Sequence, residues 1–183
     1  LRGDGRLSAK LNVALPFALT AAQTRVLAEI RADMAQPHPM HRLLQGDVGS
    51  GKTIVAALAA LAAIEDTGGF QAAVMAPTEI LAEQHYLKFK QWFEPLGIAV
   101  VWLSGSLKKK EKDAAKAAIA DGRAQLAVGT HALFQDDVQF ANLGLVIVDE
   151  QHRFGVAQRL ALKNKGRDVH QLMMSATPIP RTL

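Results

Sequence analysis

The segment that most limits the fold is MHRLLQGDVGSGKTIVAALAALAAI, residues 40–64. A short apolar run leads into GDVGSGKT, Gly46 to Thr53, and an alanine-rich run of helical length follows. The loop satisfies G-x-x-x-x-G-K-[ST] in the context that gives this spacing meaning, a strand before it and a helix after it. Gly46, Gly49 and Gly51 let the backbone curl so that successive N–H groups face one point, with Asp47, Val48 and Ser50 completing the cradle. Those donors and the positive helix N-terminus suit phosphate oxygens. Lys52 adds a full charge for the β and γ phosphates, and Thr53 offers a hydroxyl to Mg²⁺. The rival reading is a glycine-rich turn with an incidental lysine. Nucleotide binding alone leaves a kinase, a transporter ATPase, a switch GTPase and a motor all open.

The rest of the chain repeats the alternation. LTAAQTRVLAEIRADM (19–34) has helical spacing with Thr20 as N-cap, and PHP at 37–39 ends it. MHRLLQ reads as a strand, and the alanine-rich helix is closed by Gly68 and Gly69. QAAVMAP is a strand; Thr78 caps a helix running to Phe93, ended by Pro95 and Gly97. IAVVWL is a strand, 107–121 a charged helix stopped by Gly122, and AQLAVGT and LGLVIVDE are strands. About 155–164 reads as a helix and HQLMMSAT as the last strand. This pattern predicts an α/β fold with a parallel sheet covered by helices on both faces. Residues 1–15 carry Gly, Asp, Arg and Lys without clear period and read as a linker or lead-in, with the domain proper at 16–183.

Composition narrows the class. A chain of 183 residues fits one domain, and 49% apolar with 21% charged residues is a globular balance. There is no cysteine, hence no disulfide framework and no thiolate metal site. A reducing, cytoplasmic setting fits. The net charge of +4 permits nucleic-acid binding without requiring it. The longest apolar run, Ile54 to Ile64, falls far short of the roughly 20 residues that span a bilayer, so no membrane is expected. The start at Leu1 and the stop after PIPRTL read as the edges of a piece cut from a longer protein.

A second segment answers the first. In LVIVDEQHRFG (145–155) an apolar strand runs into Asp149 and Glu150. P-loop sites need a Mg²⁺ contact from an acid at the C-terminal end of a parallel strand. Asp149 stands there, and Glu150, where the chain is already turning, can orient and deprotonate an attacking water. Two solvated acids capping a helix near Gly155 are the alternative. A glutamate placed to activate water is not needed by small-molecule P-loop kinases, so the pair points to hydrolysis.

With DEQH in view, the chain resembles the first motor domain of superfamily 2 helicases, a RecA-like P-loop NTPase fold, over roughly 13–183. More narrowly, DEQHRFG with SATPIPRTL resembles the bacterial branch-migrating DNA helicases. In the related transcription-repair coupling translocases a second Glu is expected at position 151, so Gln151 favours the former. The resemblance implies ATP and Mg²⁺ as cofactors. It implies that Gln23 in PFALTAAQ reads the adenine edge with Phe17 packing nearby, and that Lys52, Glu150, Gln151 and His152 are catalytic. Gln151 and His152 would sense the γ-phosphate. In APTEILAEQH, Thr78 and Gln84 would touch the tracked DNA strand, as would Gly129 and Thr130 in VGTHALF; Arg153 would continue the relay towards DNA. Ser175, Ala176 and Thr177 would couple the nucleotide site to DNA, on a strand lying between the P-loop strand and the Asp149 strand. Implied partners are forks, Holliday junctions and duplex DNA, and a second RecA-like domain of the same chain, in a monomer. That second domain, with its arginine fingers, and an N-terminal wedge domain lie outside 1–183, so this piece alone should hydrolyse ATP barely. A transcription-coupled translocase, or an ATP-binding switch without motor activity, remains the alternative.

Several of these residues also have a plainer structural role open to them. Gln23 is otherwise a helix-surface amide, and Thr78 only a cap. His131 reads as structural, and His152 has the same alternative. His38, His41, His85 and His170 have no spacing with acids that marks a metal site. LKKKEK (107–112) reads as a solvated helix face rather than a DNA-facing basic cluster, and Trp92 and Trp102 as core rather than base-stacking platforms.

Overall fold

Every apolar run expected to pair does so. The computed structural model describes residues 5–15, 18–45, 51–66, 69–149 and 169–175. Strands β1 (His41–Gln45), β2 (Gln71–Met75), β3 (Val100–Leu103), β4 (Leu126–Gly129), β5 (Leu143–Asp149) and β6 (His170–Ser175) form one sheet, in the order β1-β6-β5-β2-β4-β3. All five pairings are parallel. β6 lies between β1 and β5, as the resemblance implied for the strand that ends in Ser175.

Five helices, α1 (Arg6–Ala14), α2 (Ala21–Met34), α3 (Lys52–Ile64), α4 (Glu79–Phe93) and α5 (Lys109–Ala120), accompany the sheet among the described residues, with short 3₁₀ turns at Glu94–Leu96 and His131–Phe134. The central strands β2, β4 and β5 are apolar and buried along most of their length because both faces are covered. Ala72, Val74, Leu126, Val128, Leu145, Ile147, Leu172 and Met174 pack into one core with α1, α2, α3 and the Phe89–Phe93 side of α4. Their neighbours Ala73, Met75, Ala127, Val146 and Val148 face the other side, where Ala115 and Ile119 of α5 cover them. This is the period of two expected of strands. α3 is apolar all round and Ile54 to Ile64 are all buried, so it is a core helix. Among the described residues no helix is long and apolar enough to cross a membrane.

Helix starts follow local chemistry. The Thr20 hydroxyl accepts from Gln23 N at 3.1 Å while the Gln23 Oε1 accepts from Thr20 N at 2.8 Å, a complete capping box on α2. Thr78 caps α4 by accepting from Leu81 N at 3.3 Å. Trp92 and Trp102 pack against the core while partly buried. The basic run lies on the outer face of α5, with Lys108, Lys109, Lys110 and Glu111 exposed.

One expectation is corrected. Residues 6–14, read as an aperiodic lead-in, form α1. Leu7, Leu11 and Leu15 stand four apart, and Leu11 is only 1% exposed in the core. The helix start is satisfied from a distance: the Glu65 carboxylate accepts from Gly5 N and Leu7 N, each at 3.0 Å, with Arg31 at 3.5 Å behind it. A carboxylate at a helix N-terminus is favourable both as acceptor and as charge.

Gln71 shows how a polar side chain is kept in this interior. It is 3% exposed, its Nε2 donates to Ile119 O and Ala124 O at 3.0 and 2.8 Å, and its Oε1 accepts from Asn142 N at 2.9 Å. It thereby ties the end of α5 and the approaches to β4 and β5 to the start of β2. Gln71→Ala strips three backbone groups of a partner and should cost roughly 2–4 kcal/mol. Urea denaturation of the variant, read as a shift in midpoint at unchanged slope, measures this.

Candidate nucleotide site and neighbouring loops

Because all strands run the same way, their C-terminal ends share one edge of the sheet, the usual ligand edge of such folds. β1 leads to the P-loop, β5 ends at Asp149 and β6 at Ser175, whose backbone is in register with Gln45. Of the residues expected to bind or act on nucleotide and DNA, Phe17, Gly46, Asp47, Val48, Gly49, Ser50, Glu150, Gln151, His152, Arg153, Ala176 and Thr177 lie outside the described residues, as does the helix expected at about 155–164.

The described part of the P-loop is where α3 begins. Gly51 is its N-cap, and Lys52 and Thr53 occupy its first turn. A cavity of about 360 Å³ opens between α2 and α3, lined by Thr20, Ala22, Gln23, Val26, Leu44, Gly51, Lys52 and Val55. Its walls are largely apolar, with an amide and an ammonium group added, which is the composition of a small-molecule site. It brings Gln23 and Lys52 to one space although 29 positions separate them in the chain. The Gln23 amide oxygen is bonded to Thr20 N, so this side chain is a helix cap and a cavity wall at once. Its Nε2 crowds Gly51 so closely that a Cβ built there would lie 1.9 Å from it.

Asp149 closes β5 with its side chain 15% exposed. Its Oδ2 is 2.6 Å from Nε2 of His85, which projects from α4 and is 8% exposed. No sequence signal pointed to His85, since 64 positions separate it from Asp149. The donors Asp149 and Thr53 are a carboxylate and a hydroxyl, the hard oxygen set that Mg²⁺ takes together with phosphate and water. Among the described residues no group of three or more His, Cys, Asp or Glu forms a self-sufficient metal cage.

The loops expected to face DNA lie on the same edge. Thr78 and Gln84 are exposed, Thr78 at the start of α4 and Gln84 within it. The next residue, Glu79, accepts from Ser106 N at 3.3 Å in the loop after β3. Hydrogen bonding from the Ser106 side chain, aided by Ser104 and the Ser106 backbone, holds the Glu79 carboxyl below the ordinary range. Gly129 and Thr130 follow a different logic. Thr130 is 4% exposed, and its hydroxyl accepts from Ala132 N at 3.4 Å, capping the 3₁₀ turn. The open side chain of this segment is His131, which the sequence had suggested was structural; it is exposed because it starts the turn on the solvent side. His170, by contrast, is buried, and its Nδ1 accepts from Met40 N at 2.8 Å, pinning the start of β1 to β6.

A parallel sheet that gathers a P-loop lysine, an apolar cavity and a strand-terminal aspartate at one edge has the build of a P-loop nucleotide-binding domain, and the chain belongs to the DEAD/DEAH box helicase family, whose model matches residues 20–183. Within that family its similarity is to RecG. It is 61% identical to the ATP-dependent DNA helicase RecG of Escherichia coli (strain K12) over 100% of its own length and 27% of that protein. It is also 61% identical to RecG of Pasteurella multocida (strain Pm70), over 92% of this chain and 25% of that one. The structure of RecG bound to a three-way DNA junction matches with a TM-score of 0.87 at 51% identity, covering 98% of this chain and 24% of that chain. The Pyrococcus furiosus Hef helicase domain shares the fold, with a TM-score of 0.68 at 23% identity over 88% of this chain and 33% of that one. The chain thus spans about a quarter of the length of the curated relatives it matches.

Proposed function

We propose that this chain is the first motor domain of a RecG-type helicase that couples ATP hydrolysis to movement on branched duplex DNA, such as stalled forks and Holliday junctions. The observation that carries the reading is the cavity shared by Gln23 and Lys52 at the sheet edge where Asp149 ends β5. The 51% identity to a RecG bound to a three-way junction supports the choice of substrate.

In this reading the base packs against Val26, Leu44 and Val55, with the Gln23 amide at its edge and Phe17 nearby. The backbone of 46–51 cradles the phosphates and Lys52 neutralises the β and γ oxygens. Asp149 and Thr53 would hold Mg²⁺, which would supply positive charge to offset the negative charge that develops on the phosphates. Glu150 orients the attacking water and takes its proton. Gln151 and His152 register loss of the γ-phosphate, Arg153 and the Ser175–Thr177 segment pass it on, and Thr78, Gln84 and the 129–130 segment meet the DNA. A second RecA-like domain of the same protein closes over the nucleotide and supplies arginine fingers, so that the cleft opens and closes with each turnover. The protein works in the cytoplasm as a monomer.

The test is the ATPase of a full-length helicase carrying this chain, measured with forked, linear duplex and single-stranded DNA. Forked DNA should stimulate most, and equal stimulation by linear duplex would sink the branched-substrate reading. Glu150→Gln should keep ATP binding and stop turnover; unchanged turnover would remove Glu150 from the mechanism.

A further inference from the structure

We propose that His85 is a positioning residue for the Asp149 carboxylate, and that through it helix α4 is tied mechanically to the nucleotide site. The proposal rests on the reading of Asp149 as the Mg²⁺ ligand. The His85 Nε2–H donates to Asp149 Oδ2 at 2.6 Å, across 64 positions of chain. The His85 side chain is 10% exposed and that of Asp149 15%, so this bond forms largely away from water. The imidazole also meets Phe89, one turn on, edge-on at 6.4 Å and 65°, and Phe89 is wholly buried. A core side chain therefore backs the ring and its polar end faces the carboxylate.

The consequence concerns orientation. A carboxylate at the end of a strand is free to turn about its own bond unless something holds it. His85 engages one oxygen, which leaves Asp149 a defined orientation for a metal contact that needs only one oxygen. Partners that hold a metal ligand in place commonly matter 10–100-fold for metal affinity.

The bond also connects the middle of α4 to the end of β5. The first residues of α4, after the Thr78 cap, meet the loop at Ser106, and Gln84 beside His85 is exposed. A helix held by its own hydrogen bonds moves as a unit, so a shift imposed where Thr78 and Gln84 meet DNA reaches Asp149 through one short bond. A merely space-filling histidine between α4 and the sheet would do neither.

The experiment uses the full-length helicase carrying this chain. Binding of a fluorescent, non-hydrolysable ATP analogue is followed as Mg²⁺ is titrated, for wild type, His85→Met, His85→Gln, Asp149→Asn and Lys52→Ala. His85→Met, similar in bulk but without a donor, should need about 10-fold more Mg²⁺ for half-saturation. His85→Gln, whose amide can donate, should recover most of that loss, and fork binding without nucleotide should stay at the wild-type level in both. Wild-type Mg²⁺ dependence in His85→Met, with Asp149→Asn impaired, overturns the positioning role and leaves the Asp149 reading standing. No effect of Asp149→Asn, with Lys52→Ala impaired, overturns the Asp149 reading itself. A second measurement needs no variant: nitrogen-15 NMR of the wild-type imidazole should show the proton on Nε2, and a ring protonated on Nδ1 alone overturns the proposal even if His85→Met fails to fold.

Discussion

Lys52→Ala, placed in a full-length helicase carrying this chain, should slow ATP turnover on the order of 10²–10³-fold with fork DNA present. Lys52 opens α3 and lines the same cavity as Gln23. In the proposed site its ammonium is the full positive charge set against the β and γ phosphates, where negative charge builds as the terminal phosphoryl group transfers. Such a charge stabilises the transition state more than the ground state, so kcat should carry most of the loss. Alanine is the best helix former, and the rest of α3 is anchored by its buried run from Ile54 to Ile64, so the melting temperature should barely move. Steady-state ATPase beside a thermal melt checks both halves. A loss of only a few-fold at unchanged stability would take Lys52 out of the phosphate site.

Gly129→Ala should unfold the domain far more readily while adding only one methyl group. β3 and β4 pair with Leu103 opposite Gly129. A Cβ built on Gly129 would stand 1.8 Å from Leu103 O and 2.9 Å from Leu103 C, which are backbone atoms that cannot swing aside. Leu103 O also accepts from Thr130 N at 3.3 Å, so moving it breaks that bond as well. Overpacking of this kind costs about 3 kcal/mol, which in a domain of this size lowers the melting temperature by roughly 6–12 °C. Calorimetry of wild type and variant gives the number directly. The outcome bears on the DNA reading too. A variant that melts like wild type but binds forks weakly would return Gly129 to DNA contact; the expected melt makes it a packing residue beneath the Thr130 loop.

Much of the architecture could be read along the chain because it rests on short-range chemistry. Thr20 and Thr78 were legible as caps, since a cap and the N–H it accepts from are three residues apart. The strands were legible because burial on both faces demands unbroken apolar runs such as LVIV. Helix α1 left a faint trace in the spacing of Leu7, Leu11 and Leu15, but its start was not legible, because that start is satisfied by Glu65, 58 to 60 positions away. The site divides the same way. The P-loop lysine and Asp149 announce themselves by motif, whereas Gln23 had to be taken from resemblance until α2 and α3 enclosed one cavity around it and Lys52.

His85 and Gly129 mark the boundary most plainly. GDVGSGKT followed by an alanine-rich helix predicts a strand–loop–helix suited to phosphate, and LVIVDE predicts an acid at a strand's end, because both depend on backbone geometry over a few residues. Which side chain would hold that acid, and which glycine would be squeezed between strands, depends on the order β1-β6-β5-β2-β4-β3 and on α4 crossing towards the end of β5. Those are contacts between residues distant in the chain, set by how apolar surfaces pack together, and no local spacing records them.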